Sequence, residues 1–190
     1  LKETITGDYL PVTLASVIAI GLVLMLTFRS LSIPLILLLT IEGAVWINLG
    51  LPYFMGDSLN YIGYQIISAV QLGATVDYAI LMTTRFQEEL RAGKSRDEAI
   101  HIAATSSDAS IVTSALVLFC ATLGVALISR VEIISSICGM LARGALISAV
   151  VTIFILPSVL YVCEPIFAHT SLWWRTPKPQ KKYRGLRKSV

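Results

Sequence analysis

The chain has 190 residues, enough for one ordinary domain, with 55% hydrophobic and 14% charged residues against roughly 25% charged in soluble domains. That composition and a mean hydropathy of +0.76 exclude a soluble enzyme, a nucleic-acid module and a disordered tail, and identify an integral membrane chain. The net charge of +3 conceals a basic end: residues 165–190 hold seven cations and no acid, and so leave −4 on the other 164 residues.

A bilayer core of about 30 Å takes about 20 apolar helical residues. Five runs meet or approach that length: residues 11–28, 33–54, 66–84, 111–128 and 133–161. Pro11 and Pro34 stand where helices start, and Pro157 is placed to kink or end the last run. Residues 1–10 precede the first span, and residues 166–190 form a basic tail. Arg29 to Ser32 and Ser129 to Glu132 read as tight turns, and Met55 to Gln65 as a short polar loop. The connection 85–110 is highly charged and reads as two short helices. The first stops at Gly93, a favourable residue just past a helix end. The second starts at Ser95 with Glu98 three residues on, a capping-box pattern. Its stripe of Ala99, Ile100, Ile102 and Ala103 fits a helix lying on the membrane surface.

Five spans put the two ends on opposite sides, and basic residues sort strongly between them. One side holds Arg29, Arg85, Arg91, Lys94, Arg96 and the seven tail cations, and the other only Lys2 and Arg130. The positive-inside rule then places the N-terminus outside and the tail in the cytoplasm. Trp173 and Trp174 fit an interfacial belt. The tail is expected to meet anionic lipid rather than nucleic acid. Cys120, Cys138 and Cys163 have neither zinc nor redox spacing and read as small buried apolar residues. His101 and His169 are isolated, so no metal site is expected. No signal peptide is visible, and the initial Leu1 suggests a piece of something longer.

Three ionisable residues lie deep. Glu42 is about 13 Å into the second span, Asp77 about 10 Å from the end of the third, and Arg143 about 15 Å into the fifth, at similar depth. Charges there should face protein or water. Glu42 and Arg143 can form a buried pair, or Glu42 can belong to a proton path. Asp77 then lacks a cation. It is either a structural hydrogen-bonder or a carboxyl that takes up and releases protons. Ala69, Gly73 and Asp77 share one helix face, where small residues admit a neighbouring helix. Tyr78 supplies a hydroxyl beside the acid.

Gly73-Ala74-Thr75-Val76-Asp77-Tyr78 resembles the G-x-x-x-D-Y motif of the resistance-nodulation-division superfamily. Arg85-Phe86-Gln87-Glu88-Glu89, with Gly93 and Glu98-Ala99, is similar to the stretch that follows it. Phe28-Arg29-Ser30 and the run from Gly144 to Pro157 resemble two further landmarks, and the order is kept over residues 10–165. The resemblance is nearest to the MMPL branch of lipid and drug exporters. It implies an all-α polytopic bundle: the last five spans of a six-helix half, of the C-terminal half. Residues 1–10 would be the exit from an extracytoplasmic domain. Partners would be the bilayer, the N-terminal membrane half, the extracytoplasmic domains and a hydrophobic substrate. It implies proton-driven export with Asp77 and Tyr78 as the relay, Gly73 for close packing, and no cofactor beyond the coupling proton. Glu42 matches no part of the motif. The alternative is a sterol-sensing or Patched-like lipid-binding module; protein-export subunits usually lack the Asp-Tyr pair. An intramembrane aspartyl protease is disfavoured, because it needs two carboxylates sharing a proton and Asp77 is the one deep aspartate.

Overall fold

The structure is a computed structural model that describes residues 2–55 and 61–170, with side-chain surroundings for residues 11–53 and 63–167. The described residues form helices and no strands: α1 (Lys2–Phe28), α2 (Ser32–Met55), α3 (Tyr61–Arg91), α4 (Arg96–Ile128), α5 (Glu132–Val150), a π-helical segment (Val151–Ile155) and α6 (Leu156–Thr170). Five runs are long and apolar enough to cross a membrane: Pro11–Phe28, Ser32–Tyr53, Gly63–Arg91, Arg96–Ile128 and Glu132–Phe167. The protein is a multi-pass membrane protein, and its outward apolar surface meets the bilayer.

α1 is peripheral. Leu24 and Phe28 are its buried anchors, while Val12, Leu14, Ile18, Leu22 and Leu26 point outward. That is the apolar exterior a helix presents to lipid. α1 begins before Pro11 and runs through it, so Pro11 does not start the helix; it removes one backbone donor. The α1–α2 turn puts Arg29 at φ 48, a left-handed conformation that side chains resist.

α3 touches α1, α2, α4, α5 and α6. Its buried face carries Ile67, Leu72, Val76, Ala79, Met82 and Phe86. Hydrogen bonds between neighbours set the directions. Gln71 reaches Ala44 on α2 and Gly144 on α5, while Asn48 on α2 reaches Met140 on α5. α2 is therefore antiparallel to both α3 and α5.

The charged stretch after Asp77 differs from its reading as separate short helices. α3 continues unbroken to Arg91, and the segment that begins at Arg96 runs without interruption into the next span. The two apparent surface helices are the ends of two long rods. The turn between them keeps its predicted chemistry. Gly93 adopts φ 88; its N–H bonds Leu90 O at 3.1 Å, and Lys94 N–H bonds Glu89 O at 3.3 Å, which is the Schellman closure. Ser95 then caps α4 by accepting from Glu98 N–H at 3.3 Å. Ala99, Ala103, Ser107, Ile111 and Ala115 are buried at four-residue spacing along α4. The apolar stripe thus faces other helices and not a membrane surface.

The last span does not end at Pro157. Pro157 has no N–H to offer the preceding turn. The chain widens into the π segment just before it, where Leu156 N–H bonds Val151 O, and α6 then continues to Thr170. At the start of α4 the Arg96 guanidinium stacks 3.7 Å from the Tyr161 ring centroid and lies 3.9 Å from the buried Glu164 carboxylate of α6. Cys120 is exposed, and Cys138 and Cys163 are half-buried, so full burial does not hold. Trp173, Trp174 and the seven tail cations lie outside the described residues.

Candidate functional site

Asp77 sits in the middle of α3, four turns before the charged rod end, on a face that includes Ala69, Val70 and Gly73. All four residues are exposed. A Cβ built at Gly73 meets nothing within 4 Å, so the described chain itself does not use the close approach expected of that glycine. Asp77 lines a recess of about 360 Å³ between α3 and α4, together with Ala74, Tyr78, Leu81, Ser110, Ile111 and Ser114. The α3 residues recur at three- and four-residue intervals, and so do those of α4, as a groove between two packed helices requires. The recess is mixed: aliphatic walls, one carboxylate, one phenol and two serine hydroxyls. Tyr78 is 7% exposed, so its ring belongs to the core while its position borders the recess. No hydrogen bond joins it to Asp77. Among the described residues no cation stands within ion-pair range of Asp77. The described pairs are Arg85–Glu88, Lys94–Glu89 and Arg96–Glu164.

Glu42 and Arg143 do not pair. Arg143 Nε donates to Asn48 Oδ1 at 3.0 Å and Nη2 to Asn48 O at 3.3 Å, whereas Glu42 Oε1 is buried without a hydrogen-bond partner. Side chains on a helix lean toward its N-terminus. α2 and α5 are antiparallel, so Glu42 and Arg143 lean in opposite directions along the bundle. Similar depth of the two residues is undone by divergent side chains, and the guanidinium meets α2 about 9 Å beyond Glu42.

What composition did not reveal is an uncharged polar cluster. Asn48 and Gln71 are 0% and 3% exposed. Asn48 Nδ2 donates to Gln71 Oε1 at 2.7 Å and to Met140 O at 3.2 Å. Gln71 Nε2 lies within bonding distance of Ala44 O, Gly144 O and Ser148 Oγ, the last at 3.0 Å. Gly144 is the glycine that a close approach demands: a Cβ there would stand 2.6 Å from Asn48 Nδ2 and 2.7 Å from Gln71 Oε1. The available signal was a pair of strong amides, Asn48 and Gln71, inside spans otherwise almost free of them. Among the described residues no group of three or more His, Cys, Asp or Glu could hold a metal ion.

A carboxylate with a phenol beside it, on the open face of a central membrane helix, occurs within a sequence that matches one family along almost its whole length. Residues 1–187 match the MMPL family. The chain belongs to the MMPL family. The mycolic acid-containing lipids exporter MmpL11 of Mycolicibacterium smegmatis is 26% identical over 134 residues, covering 70% of this chain and 14% of that protein. The probable transport protein MmpL6 of Mycobacterium tuberculosis is 26% identical over 194 residues, covering 98% of this chain and 47% of its own length. The trehalose monomycolate exporter MmpL3 of the same species is 25% identical over 122 residues, with 64% and 13% covered. This MMPL chain therefore spans from about one-eighth to about half the length of these relatives.

Proposed function

We propose that the chain is the membrane part of a proton-driven exporter of lipids or other hydrophobic compounds, a transporter and not an enzyme, with Asp77 as the proton carrier and Tyr78 as its hydroxyl neighbour. The observation that carries this reading is the position of Asp77: an unpaired carboxylate on the open face of α3, beside a recess. A charge on that face costs a few kcal/mol against lipid, so the face calls for protein or water. The named relatives that export lipids support the substrate class. The exposed run of Ala69, Gly73 and Asp77 is the surface on which a second membrane half would pack, with Gly73 admitting its helix. A proton reaching the recess binds a carboxylate oxygen of Asp77 and removes its charge. Ser110 and Ser114 offer hydroxyls from the facing wall that can hold water in hydrogen bonds. Loss of charge lowers the cost of Asp77 facing an apolar neighbour, and this ties protonation to how α3 packs. The basic residues fit an orientation with the N-terminus outside the cell membrane and the tail held at anionic lipid in the cytoplasm.

Asp77→Asn tests the reading, because an amide imitates the neutral acid and cannot release a proton. In energised vesicles carrying the full-length protein, efflux of dyes and labelled lipids should be lost while expression and thermal unfolding stay close to wild type. A collapsed-gradient control should abolish wild-type efflux. Normal efflux by Asp77→Asn would instead make Asp77 a structural hydrogen-bonder and favour a sterol-sensing type of membrane module.

A further inference from the structure

The amide cluster stands on α3 six residues before Asp77. Six residues are about 9 Å along a helix and about 240° around it. Gln71 thus faces the interior where Asp77 faces outward, and whatever fixes the rotation of α3 at Gln71 fixes the direction of Asp77. The two buried threonines of α3 reach no other helix: Thr75 bonds back to Gln71 O at 2.7 Å, and Thr83 Oγ1 has no hydrogen-bond partner. Leu72, Val76, Ala79 and Met82 are apolar, and apolar contacts are non-directional. Gln71 is different. Its carbonyl accepts from Asn48, and its amino group reaches a backbone carbonyl on α2, one on α5 and the Ser148 hydroxyl. A rotation or slide of α3 would break these bonds together inside a membrane, where unmade bonds have no water to replace them. Asn48 is held in turn by Arg143 through both its side chain and its backbone carbonyl. The bonds from a guanidinium are charge-assisted and polarise the amide that leads on to Gln71. At Gly144 a Cβ would collide with both amides, so the backbone of α5 is shaped around this pair.

We infer that Asn48 and Gln71 are positioning residues for Asp77: with Arg143 and Ser148 they lock α3 in the rotation that aims the carboxylate into the recess. The inference rests on Asp77 being the proton carrier, and it assigns no proton transfer to the amides. Tyr78 is the only other titratable group among the residues that line the recess from α3 and α4. On the packed α4, Asp108 stands two residues before Ser110 and keeps a buried Oδ1 without a hydrogen-bond partner, so a turn of α3 changes the surroundings of Asp77 both through desolvation and through its distance from that carboxyl.

Two readouts on the full-length protein test it. Ala74 lines the recess from α3 and Ser114 from α4. In a background where Cys120, Cys138 and Cys163 are replaced by alanine, Ala74→Cys and Ser114→Cys are joined with a short bifunctional thiol reagent. Adding Gln71→Leu should lower the cross-linking yield by roughly half or more. In the native-cysteine protein, Gln71→Leu should move the midpoint of the pH dependence of efflux by about one unit. Gln71→Glu, whose neutral form can both accept and donate, should restore part of both. A folded Gln71→Leu protein with unchanged cross-linking and an unchanged pH midpoint, but lower thermal stability, would overturn the inference and leave the cluster merely structural. If Gln71→Leu does not fold, Ser148→Ala, which removes one acceptor only, decides: a smaller shift in both readouts supports the lock, and no shift in either overturns it. Asp77→Asn is run alongside. If it transports normally, the proton-carrier reading fails by itself, and cross-linking still decides whether the amides orient α3.

Discussion

Glu42→Gln is the substitution for which sequence and structure give opposite expectations. Had Glu42 neutralised Arg143, an amide would leave a buried guanidinium unpaired at a cost of about 3–5 kcal/mol. The carboxylate instead keeps a buried, unpartnered oxygen, and Arg143 holds Asn48. Removing the charge should cost nothing and can add up to about 1 kcal/mol of stability, read as an unchanged or raised Tm in detergent. Gly144→Ala should behave in the opposite way. Its methyl would press on two amides tied into one network, at a cost of about 1–3 kcal/mol, again read as Tm. The contrast shows what residue type conveys in a membrane chain. Asp77 was legible because a carboxylate in an apolar run is conspicuous and its motif is specific. Asn48 and Gln71 were not, since an uncharged amide barely changes hydropathy and its worth depends on partners 23 to 92 residues away. The false pair came from depth alone, which ignores the lean of side chains toward the helix N-terminus.

Helix ends were legible where chemistry terminates the helix, and illegible where hydropathy alone had to mark them. Gly93 and Ser95 announce one stop and one start, and both signals operate. The charges on either side lower the local hydropathy without breaking the helices, so the spans run on past their apolar portions. Pro157 shows the converse. A missing donor was expected to kink or end the helix; the helix does not end there, and five π-helical residues stand just before the proline. Two substitutions test the α3–α4 corner. Ser95→Ala should cost about 1 kcal/mol through the lost cap. Gly93→Ala should cost about 1 kcal/mol or more, because φ 88 suits glycine alone. Both should show as greater proteolytic nicking at residues 92–96, with little effect at the other helix ends.

Five helices long and apolar enough to cross a membrane would give the molecule a sidedness that its cations predict. Single cysteines at Arg29, Lys94 and Arg130, in a background without native cysteines, report it. A membrane-impermeant maleimide added to whole cells should label position 130 at once and positions 29 and 94 only after permeabilisation. Labelling in the reverse order would invert the proposed orientation. Within the bundle α3 holds the central place. It is the helix with the most neighbours, yet it leaves one face uncovered, and that face carries the acid.

The continuity of α3 and α4 across their corner has a mechanical result. At 31 and 33 residues the two rods are about 46 and 50 Å long, well beyond the roughly 30 Å of hydrocarbon they cross. The corner at Gly93 lies sixteen residues past Asp77, or about 24 Å. The hairpin corner thus stands about 24 Å beyond the recess that Asp77 lines. A tilt of about 10° at the level of Asp77 would displace the corner by about 4 Å, enough for a pair of probes at Lys94 and on α6 to register a change in how α3 packs around the acid.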